Sequence, residues 1–86
     1  MTLNITFQAL ADPTRRKILE LLKKRDMAAG EIAKFFDIAL PSLSHHLNVL
    51  KRADLITFRR QGQELIYSLN LSVFEEAAKI IIKFFK

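Results

Sequence analysis

The chain has 86 residues, enough for one domain, and half of them are apolar, which excludes a disordered chain. Fourteen Lys and Arg against nine Asp and Glu give a net charge of +5, which suits an anionic partner such as nucleic acid but also occurs in many small soluble domains. The absence of cysteine excludes a disulfide framework and a thiolate metal site.

A signal peptide is not expected at the N-terminus. The first ten residues lack the basic segment and the small-residue cleavage site of a signal peptide. The most apolar run, residues 80–85, is too short to span a bilayer. We therefore expect a cytoplasmic protein in which residues 1–86 form a single domain.

Helical periodicity runs through the first half of the chain. The apolar spacing in residues 3–10 predicts a short first helix. Asp12 is placed as the N-cap of a second helix, with Pro13 in its first position, and this helix runs to about Lys24. A third short helix is predicted over residues 29–36.

A fourth helix is predicted from Leu40 to near Ala53, after a tight connection that makes a helix-turn-helix with the third. Leu43, Leu47 and Leu50 form its buried stripe. The other faces carry short polar and basic side chains that can donate to and accept from base edges in a DNA major groove. The residues expected to contact DNA here are Pro41, Ser42, Ser44, His45, Asn48 and Arg52.

Alternatives remain for this face of the helix. The serines and His45 could be idle solvated positions. His45 and His46 could bind a metal, but neighbours on a helix diverge by about 100° and no third ligand is visible. His46 borders the leucine stripe and is expected to be a partly buried packing residue.

After Asp54 the period changes from 3.6 to 2, so residues 55–59 and 64–69 are predicted strands of a hairpin. A hairpin that follows a helix-turn-helix indicates a winged helix, mainly α with a small β-hairpin in the order α-α-α-α-β-β-α. The hairpin tip is expected either to contact the DNA backbone or minor groove or to be a solvated loop. Its residues are Arg59, Arg60, Gln61, Gly62 and Gln63.

Basic residues open the second helix, where they oppose the helix dipole, so ion pairing and phosphate contact are equally plausible roles for Arg15, Arg16 and Lys17. Ser72 and Glu75 have the spacing of a capping box and predict the start of a last helix. The apolar residues of that helix extend beyond one face.

The apolar residues at the two chain ends could be monomer core, but their number favours an interface between two copies related by a two-fold axis. The residues expected in this dimer interface are Leu3, Phe7, Phe74, Ala78, Ile81, Phe84 and Phe85.

Three segments together resemble the ArsR-type (arsenical resistance repressor, ArsR/SmtB) winged-helix regulators: FQALADPTRR at 7–16, SLSHHL at 42–47 and Gly62 in the hairpin. The chain is most similar to the metal-independent autorepressor subgroup. The resemblance implies a homodimer built from the first and last helices, a helix from near Leu40 in the major groove and repression of transcription. The metal ligands of the family's metal sensors are absent here, so no metal or cofactor is expected, and the effector is unknown.

Two functions are therefore considered. The first is a dimeric, sequence-specific DNA-binding repressor, with its own operon as a candidate target. The second is a winged-helix module that binds another protein through its apolar last helix. An enzyme is not expected, because the chain has no cysteine and only two glycines, and Ser44 and His45 diverge on one helix.

Overall fold

The computed structural model describes residues 3–85, which form five helices and three short strands. The predicted limits of the first, second and fourth helices agree with it to within one residue. In chain order the elements are α1 (Leu3–Leu10), α2 (Pro13–Lys24), β1 (Met27–Ala28), α3 (Ala29–Ala33), α4 (Leu40–Arg52), β2 (Ile56–Gln61), β3 (Glu64–Leu69) and α5 (Leu71–Lys83).

The sheet has three antiparallel strands in the order β1-β3-β2, so the predicted two-stranded hairpin was incomplete. Met27 pairs with Tyr67 and places β1 against the edge of β3. A strand of two residues has no alternation that a sequence pattern could reveal.

The third helix is also shorter than predicted, because the backbone N–H of Phe35 bonds to the carbonyl of Ile32 three residues back and tightens the last turn.

The core lies between the helices and one face of the sheet. Its largest fully buried apolar side chains come from α2, α3, α4 and the start of β2, so each element of the helix-turn-helix is anchored in it. They are Ile18, Ile32, Leu50, Leu55 and Ile56. No helix within residues 3–85 is both long enough and apolar enough to cross a membrane.

The end of α4 is fixed by a Schellman motif. The N–H of Asp54 bonds to the carbonyl of Lys51 (3.0 Å), and the N–H of Leu55 bonds to the carbonyl of Leu50 (3.1 Å). Asp54 adopts a φ of 58°, a left-handed conformation that glycine usually supplies at this position. This turn leads the chain directly from α4 into β2 and so sets the hairpin beside the helix.

The predicted capping box at Ser72 and Glu75 is wrong. α5 begins two residues earlier than that motif requires, with Asn70 as its N-cap and no side-chain cap hydrogen bond. The reason is that the N–H of Asn70 bonds to the carbonyl of Leu55 (2.9 Å), which ends β3 beside the start of β2 and lets the helix start at Leu71.

The corner between α1 and α2 is held by side chains from the first turn of α2. Asp12 accepts hydrogen bonds from the N–H groups of Thr14 (2.8 Å) and Arg15 (3.2 Å), as predicted for an N-cap. Arg15 donates to the carbonyls of Ala9 (2.8 Å) and Gln8 (2.9 Å). Arg16 donates to the carbonyl of Leu10 (2.7 Å) in the same way. The two arginines therefore complete the C-terminus of α1, whose dipole favours cations, rather than forming ion pairs.

Loss of the Asp12 cap should be measurable as a loss of stability. We expect Asp12→Ala to lower the free energy of unfolding by about 1 kcal/mol, because two N–H groups lose their acceptor. Asp12→Asn keeps an acceptor and should cost less, and Asp37→Ala, at an exposed aspartate, should change little. Urea denaturation at pH 7 compares the three, and equal stability of Asp12→Ala and the parent would refute the cap.

The same residue gives the stability a pH dependence. Burial raises the pKa of Asp12, but the N–H groups of Arg15 and Thr14 and the charges of His46 and Arg15 outweigh it, so the pKa lies below 3.8. The stability that the Asp12 carboxylate contributes is therefore fully present at a pH above its pKa in the unfolded chain. It is lost as the pH falls through the lower pKa of Asp12 in the folded protein. This loss should be absent in Asp12→Asn.

Candidate nucleic-acid interface

α4 presents two chemically different faces. Leu43, Leu47 and Leu50 are buried and fix the inner face against the core, as predicted. The outer face consists of the side chains expected to contact DNA, and the structure leaves all of them exposed. They are Pro41, Ser42, Ser44, His45, Asn48 and Arg52.

Part of this outer face forms one shallow depression, lined by His45, Asn48, Lys51 and Arg52. Lys51 was not predicted to belong to it. Its ammonium lies 4.7 Å from the centre of the Phe58 ring on β2, a cation–π contact that holds the side chain between helix and hairpin. The sequence does contain a signal for Lys51: it lies three residues after Asn48, so the two side chains are neighbours on the helix surface.

The first residue of α4 is an exposed apolar side chain that the sequence prediction did not include. Leu40 is 68% exposed and lies directly before Pro41 and Ser42. An apolar side chain at the N-terminal end of a reading helix can contact a thymine methyl group, but not the hydrogen-bonding groups of a base.

The hairpin turn is narrower than predicted. β2 continues through Gln61 and β3 begins at Glu64, so the turn itself consists of Gly62 and Gln63. Gly62 has a φ of 65° at the first turn position, where a type II′ turn needs glycine. Arg60 and Gln61 are exposed in the last residues of β2, immediately before the turn.

Arg59 differs from the rest of the predicted tip. It lies inside β2, and its guanidinium contacts the carboxylate of Asp26 (3.0 Å) and the hydroxyl of Ser68 (3.4 Å). Hydrogen bonds from Arg59 and then Ser68 hold the pKa of Asp26 below its ordinary value. Both members of the pair are about half exposed, so it contributes little to stability, at most about 1 kcal/mol. Arg59 therefore has an intramolecular partner that Arg60 lacks among the interactions of the described residues.

His46 is partly buried, as predicted, and has an unexpected partner. Its Nδ1 lies 3.2 Å from Nη1 of Arg15, which reaches it from the first turn of α2. Burial of the ring is the main cause that lowers the pKa of His46 below 6.5. The charges of Arg15 and His45 act in the same direction, and the charge of Asp12 opposes them. Within residues 3–85 no three His, Asp or Glu side chains lie close enough together to hold a metal ion.

The two chain ends supply a second exposed surface, which is apolar. Phe84 and Phe85 are 82% and 84% exposed, and Phe7 and Ile81 are also exposed. Ala78 is exposed on the same helix. The side chain of Leu3 is outside the described residues.

Phe74, which also belongs to the predicted dimer set, contacts the core of the single chain. It is partly buried and packs against the monomer core, because it lies in the first turn of α5 beside the end of β3. There it lines an apolar groove with Leu10, Leu19 and Leu69.

This arrangement of a helix-turn-helix, a hairpin beside its second helix and an exposed polar outer face defines a winged helix-turn-helix protein. Residues 10–58, more than half of the chain, match a protein family described as a helix-turn-helix domain. The chain is 51% identical over 82 residues to the transcriptional repressor SdpR of Bacillus subtilis (strain 168), an alignment that covers 95% of this chain and 91% of SdpR. The protein belongs to the ArsR-type family of transcriptional regulators, which is not a family of enzymes.

Solved structures of similar proteins agree with the fold. The crystal structure of the ArsR family transcriptional regulator RHA00566 has a TM-score of 0.88 and 36% identity, and the match covers 94% of this chain and 89% of that one. The homodimeric winged helix-turn-helix DNA-binding domain of Mb0332 from Mycobacterium bovis has a TM-score of 0.78 and 29% identity. The match covers 92% of this chain and 74% of that domain. Some relatives are longer: the chain spans 60% of Rv2034 from Mycobacterium tuberculosis.

Proposed function

We propose that the protein is a homodimeric repressor that binds an inverted repeat in double-stranded DNA, with its own operon as the first candidate target. α4 lies in the major groove, and the hairpin tip, residues 59–63, contacts the flanking backbone or minor groove. The observation that carries the proposal is the outer face of α4, where Ser44, His45 and Asn48 are exposed side by side while three leucines anchor the opposite face. The similarity to SdpR, a transcriptional repressor, supports it.

Charge supports the same orientation. Lys51 and Arg52 close the depression on α4, and Arg60 extends the positive surface along the hairpin. Cations around a polar reading face favour DNA over a protein partner, since they neutralise phosphates and release counterions. The exposed apolar surface at the chain ends then serves dimerisation, and the homodimeric state of the similar Mb0332 domain supports a dimer. In this proposal residues 1–86 are a single DNA-binding domain whose two terminal helices form the dimer interface.

Two substitutions separate reading of bases from attraction to the backbone. We expect His45→Ala to weaken binding to a selected genomic fragment by about 1–3 kcal/mol while binding to a random duplex changes little, because His45 contacts a base edge. Arg60→Ala should weaken both duplexes alike and reduce the salt dependence by about one counterion, because it contacts phosphate. Fluorescence anisotropy at several salt concentrations measures both effects.

Arg25→Ala is the matched control, since it removes the same charge from an exposed arginine that follows α2 and pairs with Glu31 (2.8 Å). It should leave the salt dependence unchanged. Equal losses on the selected and random duplexes for His45→Ala would show that His45 does not read a base.

A further inference from the structure

A single guanidinium joins three helices of this protein. Arg15 belongs to α2, donates to the carbonyls of Gln8 and Ala9 at the end of α1, and approaches Nδ1 of His46 in the middle of α4. We infer that Arg15 is a positioning residue for DNA recognition, which fixes the rotation of α4 through its hydrogen bond to His46. The inference rests on the proposed function and deepens it.

The physical reason is that the apolar contacts of α4 with the core have no preferred direction. Leu43, Leu47 and Leu50 hold the helix against the core by apolar burial, which is non-directional. The N-cap, Ala39, adds no side-chain hydrogen bond. A hydrogen bond from Arg15 depends strongly on angle, so it selects one rotation of the helix.

The position of His46 makes that rotation relevant to DNA. It directly precedes the buried Leu47 and directly follows His45, so a change in its direction moves His45 on the reading face. Across the same region α1 and α4 are separated by an open groove lined by Ile5, Gln8, Val49 and Arg52. Arg15 therefore provides a polar connection between the helix proposed for dimerisation and the helix proposed to read bases.

The contact also requires one protonation state. Arginine only donates, so Nδ1 of His46 must accept and the imidazole must be neutral. The charged groups that face the ring are Arg15 and Asp12 from the start of α2 and His45 from α4 itself. Protonation of His46 would end the hydrogen bond and place two cations 3.2 Å apart.

Arg16 provides a matched control for the test. Arg15→Gln and Arg16→Gln each remove one charge and side-chain donors from the end of α1, two hydrogen bonds for Arg15 and one for Arg16, but only Arg15 contacts α4. We expect Arg15→Gln to lower the affinity for a selected genomic fragment about tenfold more than Arg16→Gln does, with equal effects of the two on a random duplex. Sedimentation should show the same oligomeric state for both.

His46 variants supply a second arm that does not depend on the folding of Arg15→Gln. His46→Phe keeps a ring for packing but cannot accept, so it should lose affinity as Arg15→Gln does, and the double variant should lose no more than either single one. His46→Asn keeps an acceptor near Nδ1 and does not titrate. Between pH 7.5 and 5.5 the affinity of the parent should fall relative to that of His46→Asn.

An NMR titration of the His46 ring in the protein without DNA separates the possible failures. In Arg15→Gln the pKa of His46 should rise, since a neighbouring cation is gone. An unchanged pKa would show that the contact is absent in solution and would overturn the inference. Equal DNA affinities of Arg15→Gln and Arg16→Gln would overturn the positioning role, whereas a parent protein that selects no DNA would refute the proposed function instead.

Discussion

Ser44→Glu is expected to remove specific DNA binding while leaving the fold intact. The exposed serine lies between Leu43 and His45 on α4. A glutamate there loses the short hydrogen-bonding group and brings a carboxylate against the acceptor groups and phosphates of the duplex. Together these should cost about 2–4 kcal/mol of binding free energy, or roughly 30- to 1,000-fold in affinity. Fluorescence anisotropy on a selected genomic fragment measures the loss.

The matched control is Ser72→Glu, which makes the same change at an exposed serine in the first turn of α5. A carboxylate is favourable near a helix N-terminus, so this variant should be as stable as the parent. Its DNA affinity should fall only by the small amount that one added negative charge causes at a distance. If the two variants bound DNA equally, the outer face of α4 would not be the reading surface.

The second large effect is expected from Phe84→Glu, at the exposed end of α5. Phe84 is 82% exposed in the single chain, which is unfavourable unless another molecule covers it. The substitution occurs twice in a symmetric dimer and places two carboxylates at an apolar interface, so we expect a cost of about 3–5 kcal/mol in dimerisation. Sedimentation equilibrium should then show a folded monomer.

Loss of the dimer should also weaken DNA binding, because a monomer engages one half-site without the advantage of a linked second one. Phe35→Glu is the matched control, since Phe35 is 49% exposed but lies beside α3, away from the chain ends. It should remain a dimer. A stable dimer of Phe84→Glu would place the interface elsewhere on the molecule.

Short-range patterns, such as helix caps and helical spacing, account for most of the features that were predicted correctly from the sequence. The pair Asp12-Pro13 marks the start of α2 because the carboxylate caps and the proline needs no donor, and three leucines at helical spacing identify the buried face of α4. These signals lie within a few residues of the feature they predict. They were sufficient to predict the limits of α2 and α4 and the buried stripe of α4.

The features that sequence reasoning missed depend on distant contacts. β1 exists because Met27 meets Tyr67 forty residues later, and α5 starts at Leu71 because Asn70 bonds to Leu55. The role of Arg15 could not be read from its position at the start of a helix, since its acceptors lie on α1 and α4. The pairing of Arg59 with Asp26 is likewise set by the approach of β2 to the loop after α2.

The proposed repression requires two copies of α4 to read one duplex, and a hydroxyl-radical footprint tests this most directly. Purified protein is mixed with the DNA upstream of its own gene and with fragments selected from the genome. We expect two protected segments, related as an inverted repeat and centred about one helical turn (roughly 34 Å) apart, which disappear in Ser44→Glu. Uniform cleavage of every fragment at protein concentrations where the dimer is formed would contradict the account.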